Sequence, residues 1–353
     1  MNDSIKTACS GVFLCNVLNA TRLTEAIASR GANMENFSDE CRKGLWLDFD
    51  ESTAYPNVRP LLAHYTTLPV LEKIVMNDEM WFSHPLLMND SEEMRWGLEQ
   101  GQQLFIRNEN LKAACGGEER HQKIINDFMS RYISYTHMQA AGTYVACFCR
   151  HDEINAKDGI LSMWRGYGGN GSGVALIFDT KHLNARDDTP FVLAPIEYLS
   201  QTDRIGHITA YVDLLAELIK RHNPADELLP CVSFWFLERL KLFSLFTKHN
   251  GFNEEREWRI AYLGDRDASG HFHQMIGYLI TERGAQPKLK LKIAPHAGFK
   301  DPDMSLAKFA HSVLLGPSLT GALNQFAIQR MLVLANKEAL AKNVRVSEIP
   351  YRA

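Results

Sequence analysis

Three observations predict an α+β fold for this chain. Strand-like segments are interspersed with helical periodicity, but without the regular rhythm of a parallel βαβ sheet. The segment "GVALIFD", at 173–179, is a continuous apolar run of the kind a strand takes when both faces are covered. The 353 residues are 45% hydrophobic, enough for a substantial core.

Residues 1–58 show weak periodicity and run into "DFDESTAYPNVRP", where acids, Ser, Thr and prolines mark a boundary. They read as an N-terminal extension, and 59–353 as a single catalytic-type α+β domain. Within it "LLAHYTT" is a short strand, "LPVLEKIVMND" a short amphipathic helix, "EMWFSHP" a strand and "NDSEEMRWGLEQGQQLFI" a helix with an acidic cap. "QKIINDFMSRYISYTHMQA" is helical, and the aromatic and β-branched content of "TYVACFC" favours a buried strand. "KDGILSMWRGYGG" is a short helix broken by glycines, "GVALIFD" and "FVLAPIEYL" are strands, and two long amphipathic helices lie in "IGHITAYVDLLAELIKRH" and "CVSFWFLERLKLFSLFTKH". "EEREWRIAYL", "PKLKLKI" and "SVLLGP" follow as strands, "TGALNQFAIQRMLVLANK" as a helix and "NVRVSEIPYR" as an extended end. There is no internal repeat or low-complexity segment.

A formal net charge of −4 excludes wholesale electrostatic capture of nucleic acid or anionic membrane, so any such binding is local. The seven cysteines are odd in number and scattered, without zinc or disulfide spacing, which fits a reducing cytoplasm and no metal. The start lacks the core of a signal peptide, and no window approaches the roughly 20 apolar residues of a membrane span. The expectation is a cytoplasmic protein with no membrane partner.

Charge collects in "HNGFNEEREWRIAY". If this is extended, Glu255, Glu257 and Arg259 share one face while Arg256, Trp258 and Ile260 share the other. The first face is either a solvated edge with ion pairs or a catalytic rim in which Arg259 orients a carboxylate. In "HYTT", His64, Tyr65 and Thr66 stand at a strand-to-helix corner suited to a polar ligand, although a His beside a Tyr is more often structural. Asp90 and Glu93 fit a capping box, which leaves Ser83 and Asn89 as polar groups for a pocket wall.

Trp164, Arg165 and Tyr167 precede "GGNGSG", where glycines allow close backbone approach and rings can stack on a heterocycle. The loop leads into a strand rather than a helix, so it is neither a dinucleotide fingerprint nor a P-loop. Cys147 and Cys149 share a strand face and read as small hydrophobes, with a Cys149–His151 nucleophile the weaker alternative. Lys288, Lys290 and Lys292 project from one strand face, as edge protection or as a phosphate-tracking stripe.

In order and spacing, "LLAHYTTLPVLEKIV", "MWFSHPLLMNDSEEM", "VACFCR…MWRGYGGNGSGVALIFD", "EEREWRI" and "SEIPYR" resemble the prokaryotic family catalogued as domain of unknown function 2971. The resemblance runs from about Pro60 onward. More distantly, the layout is similar to ADP-ribosyltransferases, including the DNA-modifying toxin type. That likeness implies a mixed split β-sheet of ADP-ribosyltransferase-like type with NAD in its cleft. By that likeness Glu257 is the leading catalytic carboxylate and Glu255 its neighbour for acceptor activation. His64 and Thr66 contact ribose and amide, Tyr65, Trp164 and Tyr167 pack on nicotinamide, and Arg259 orients the acid or holds a phosphate. The "Ser-Thr-Ser" signature of a middle strand is absent.

The expected function is therefore NAD-dependent transfer of ADP-ribose to a nucleic acid or protein acceptor, in phage defence or as a toxin with a possible antitoxin partner. Two alternatives belong to other classes. One is a non-enzymatic phage or nucleic-acid sensor that uses the lysine stripe. The other is a nuclease with a divalent metal at Asp90, Glu93, Glu255 and Glu257.

Overall fold

The structure is a computed structural model that describes residues 32–48, 51–88, 91–184, 189–282, 284–299 and 301–351. Helix α1 (Ala32–Gly44) precedes β1 (Leu61–Thr66), α2 (Leu68–Asn77), β2 (Glu79–Ser83), α3 (Ser91–Arg107) and α4 (Glu118–Ser134). Then come β3 (Thr143–His151), α5 (Leu161–Gly166), β4 (Val174–Asp179), β5 (Phe191–Pro195) and β6 (Glu197–Leu199). The long helices α6 (Gln201–His222) and α7 (Pro230–Phe246) lead to β7 (Thr247–His249), β8 (Glu257–Leu263), β9 (Ile276–Thr281) and β10 (Gly284–Lys292). The chain closes with β11 (Ala310–Leu315), α8 (Ala322–Leu334) and β12 (Val344–Val346).

The fold is mixed α+β, as the sequence predicts. Ten strands among the described residues form one sheet, antiparallel except for the β11–β12 pair. It branches at β3. One edge of β3 is taken by β8 from Thr143 to Cys149, with β5 beyond it. The other edge must therefore be shared. β1 holds Cys149–His151 through Leu61–Ala63, and β2 meets β3 at Ser83 opposite Val145. Past these contacts β1 continues along β4 and β2 along β10, so the two diverge and the stretch 146–148 faces the gap between them.

Both faces of the sheet are covered. On one, Val145, Val192, Ala194, Ala261 and Leu263 pack against the helical layer that includes Phe37, Phe105, Phe128, Leu215 and Phe236. On the other, Tyr144, Phe148, Trp258 and Tyr262 join Leu71 and Ile74 of α2 and Ile328 and Leu332 of α8. β4 behaves as its apolar run requires: Val174 and Leu176 enter the second cluster, Ala175 and Ile177 a smaller third. Phe37 and Cys41 of α1 and Leu45 just after it, within the segment read as an extension, join the helical core.

Four expectations are corrected. The strand read over "EEREWRIAYL" begins at Glu257, because a 3-10 turn over Asn250–Glu255 ends at Arg256, whose φ of 45° is left-handed and redirects the chain. "FVLAPIEYL" is two strands: β5 pairs with β8, whereas β6 turns away to pair in parallel with β7. α7 is not amphipathic but buried almost all round, its charged Glu238, Arg239 and Lys241 being satisfied internally. β10 lies between β2 and β9, so its lysines do not protect a sheet edge.

Candidate active site

A cleft of about 250 Å³ opens where β1 and β2 part. Its wall draws His64 and Tyr65 from β1, Trp81 and Ser83 from β2, Cys147 from β3, Tyr167 after α5, Lys248 from β7, and both Glu255 and Glu257. Strand divergence explains His64. Its Nδ1 lies 3.0 Å from the carbonyl oxygen of Cys147, a group on the stretch of β3 that neither β1 nor β2 pairs. A carbonyl can only accept, so Nδ1 carries the proton. Desolvation pulls the imidazole below its ordinary pKa, against the opposing effect of the carbonyl. The ring is thus neutral near pH 7, and Nε2 is left as an acceptor.

The acidic side of the cleft is a chain of buried ion pairs. Tyr167 donates its hydroxyl to Glu255 Oε1 at 2.9 Å, and Lys248 Nζ reaches Glu255 Oε2 at 2.6 Å and Glu257 Oε2 at 3.5 Å. Arg259 binds Glu257 Oε1 through Nε at 2.9 Å and through its terminal nitrogen at 2.8 Å. Glu257 is 5% exposed and Arg259 7%, which removes the solvated-edge reading of this face. Burial alone would raise the Glu257 pKa, but Arg259, Lys248 and the Cys147 thiol outweigh it and hold the carboxyl below the usual range. Oε1 is saturated by the guanidinium. Oε2, with the longer contact to Lys248, keeps capacity for a ligand hydroxyl.

Local sequence sets this geometry. The His249 ring accepts the N–H of Gly251 at 3.1 Å, starting the turn that carries Glu255. The left-handed Arg256 is anchored by a two-pronged ion pair to Asp152, with Nη1 2.9 Å from Oδ1. The Glu257 N–H donates to Tyr198 Oη at 2.8 Å, fixing the start of β8. Glycine is required at 173, where a Cβ would stand 2.3 Å from the Thr66 carbonyl, so the loop after Tyr167 can press against the end of β1.

The sequence-predicted residues divide into groups. His64, Tyr65, Ser83, Tyr167, Glu255 and Glu257 come together around the cleft, and Arg259 stands behind Glu257. Trp164 is fully buried, its ring 4.8 Å from that of Tyr65 and its Nε1–H donating to the Asp158 carbonyl, so it supports the wall without lining it. Thr66 is buried beside the cleft rather than on its wall. Asn89 and Asp90 lie outside the described residues. The Cys149 thiol is buried and pushed up to about 12, the reverse of what a nucleophile needs. Lys248 and Trp81 were missed by sequence reasoning: the lysine read as the tail of a long amphipathic helix, and nothing local marked either residue.

The segment from Met163 to Ile260 matches a family described as protein of unknown function (DUF2971). This supports the family resemblance over α5 through most of β8, the half of the cleft that carries Tyr167, Lys248, Glu255 and Glu257. His64 and Ser83 lie outside the match. No curated protein and no solved structure matches the chain.

Proposed function

We propose that this protein is an NAD-dependent ADP-ribosyltransferase whose acceptor is a nucleic acid or a protein. The observation that carries the reading is the pairing, across one cleft of a dividing sheet, of a neutral histidine from the first strand with a buried anionic glutamate from a late one. The sheet's split, of ADP-ribosyltransferase-like type, is part of the same reading.

Breaking the bond between C1′ and the nicotinamide nitrogen develops positive charge on the ribose while nicotinamide leaves as a neutral ring. A carboxylate held ionised in a dry site stabilises that charge, and Glu257 Oε2 also suits the ribose 2′-hydroxyl. His64 Nε2 accepts from a hydroxyl of the other ribose, and the Tyr65 and Tyr167 rings pack on the departing heterocycle. The acceptor's nucleophile bonds to C1′ and its proton passes to a carboxylate, for which Glu255 is the candidate. A toxin or phage-defence role belongs to this reading through the family likeness.

The charge pattern disfavours the nuclease alternative. Lys248 and Arg259 already occupy Glu255 Oε2 and Glu257 Oε1, which leaves too few free carboxylate oxygens for a divalent cation, an ion that takes about six oxygen ligands. The deciding experiment incubates the protein with NAD labelled on the adenylate and with cellular RNA, DNA and protein. Label on one acceptor class together with free nicotinamide is expected. Neither product, from protein shown to be folded, would overturn the assignment.

A further inference from the structure

Lys73 of α2 and Lys290 of β10 both lie over the Trp81 ring, at 5.4 and 4.8 Å from its centroid. In register, Lys288 faces Ser83, Lys290 faces Trp81 and Lys292 faces Glu79. Lys288 donates to Ser83 Oγ at 2.7 Å, and both Ser83 and Trp81 belong to the cleft wall. The stripe therefore starts at the cleft and runs outward along an interior strand. Successive lysines on that face stand about 7 Å apart, twice the strand rise.

Edge protection does not explain the stripe, because β9 covers the far side of β10. Among the described residues, Lys288, Lys290 and Lys292 pair with no carboxylate: their partners are Ser83, the Trp81 and Tyr278 rings, and the Asn77 carbonyl. The one carboxylate on this face of β2, Glu79, accepts the Trp81 indole N–H at 2.9 Å. Uncompensated ammonium groups in a chain of net charge −4 form a local basic track. Beside it Tyr278 of β9 is 66% exposed, leaving a ring open to a base.

We infer that Lys73, Lys288, Lys290 and Lys292 bind the phosphates of a single-stranded nucleic acid, guiding one nucleotide into the cleft between β1 and β2. The inference rests on the transferase reading for its acceptor step, whereas the binding surface stands without it. A single strand is favoured over a duplex because a cleft of about 250 Å³ admits a base only when it is unstacked.

The test measures binding of a fluorescein-labelled 15-mer of thymidylate by anisotropy between 50 and 300 mM KCl, with nicotinamide release from NAD followed in parallel. Four phosphate contacts predict a slope of log K against log salt near −3. The K73Q/K290Q/K292Q variant should flatten the slope by about 2 units. Because Lys73 and Lys290 rest on Trp81 of the cleft wall, the rate control is K292Q alone, whose lysine meets the Asn77 carbonyl away from the wall: it should flatten the slope by about 0.7 and keep the wild-type rate of nicotinamide release. Equal binding of a duplex or of polyglutamate, or an unchanged slope in the triple variant, would overturn the inference. Absence of oligonucleotide binding by a protein that still releases nicotinamide would sink this surface and leave the transferase standing. Binding with no nicotinamide release at all would do the opposite.

Discussion

Replacing Glu257 with Gln preserves shape while removing the charge that the proposed chemistry needs. The carboxylate is 5% exposed and bound to Arg259 at 2.8 Å, with Lys248 at 3.5 Å. Removing one partner of a buried ion pair costs about 3–5 kcal/mol. The amide keeps an acceptor for Arg259, and Lys248 retains Glu255 at 2.6 Å, so the cost lies at the low end, about 3 kcal/mol. Domains have about 5–15 kcal/mol to lose, so the variant folds but with a lower denaturation midpoint. Loss of preorganised charge at the developing cation should cut turnover by about 10²–10³.

The acid limb supplies an independent check. A folded-state pKa held below the ordinary 4.5 stabilises the native state above pH 4.5, and that stability is lost as pH falls through the lower folded value. The wild type should show this loss, and E257Q should lack the Glu257 share of it. The assay is nicotinamide release per folded molecule, with urea unfolding at pH 7 and pH 4. Turnover within threefold of wild type would remove Glu257 from the chemistry, and an unchanged urea midpoint would refute the buried pairing.

Other outcomes follow from the same geometry. Nitrogen-15 spectra should show His64 as the neutral Nδ1–H tautomer at pH 7, titrating below its ordinary 6.5, with NAD affinity falling only on that acid limb; a midpoint above 6.5 would contradict this. Gly173→Ala places a methyl 2.3 Å from the Thr66 carbonyl, and the strain should cost about 3 kcal/mol in unfolding free energy. Lys241→Met leaves Glu238 and Asp265, bound to the lysine at 2.6 and 2.5 Å, without that cation, and should destabilise by about 3–5 kcal/mol in thermal or urea unfolding.

Much of the fold is legible in local pattern because burial on two faces leaves a signature in consecutive residues. "GVALIFD" announces an interior strand, and the alternation of Glu257 and Arg259 with Trp258 and Ile260 puts the charged pair on one face. Both readings need only strand periodicity. That β9 escaped notice, and that α7 read as amphipathic, also has a physical cause: β9 has no fully buried position to mark it, and Arg239 and Lys241 of α7 find Asp48 and Asp265 far away in the chain. Sequence likewise brought His64, Tyr65, Tyr167 and Glu257 forward by residue type and position.

Tertiary structure decided whether those charges meet water or a cleft. Alternation assigns a residue to a face, but what covers that face depends on which strands flank it. Here β8 lies between β3 and β5, so Glu257 and Arg259 are interior, and two strands sharing one edge of β3 open the cleft they border. Lys248 joins the site because α7 delivers β7 beside the turn at Glu255. Local sequence carries the side-chain period and sets Lys248, Glu255, Glu257 and Arg259 near one another in the chain; the exclusion of water that makes their pairing strong is a long-range property, set by the strands and helices packed around them.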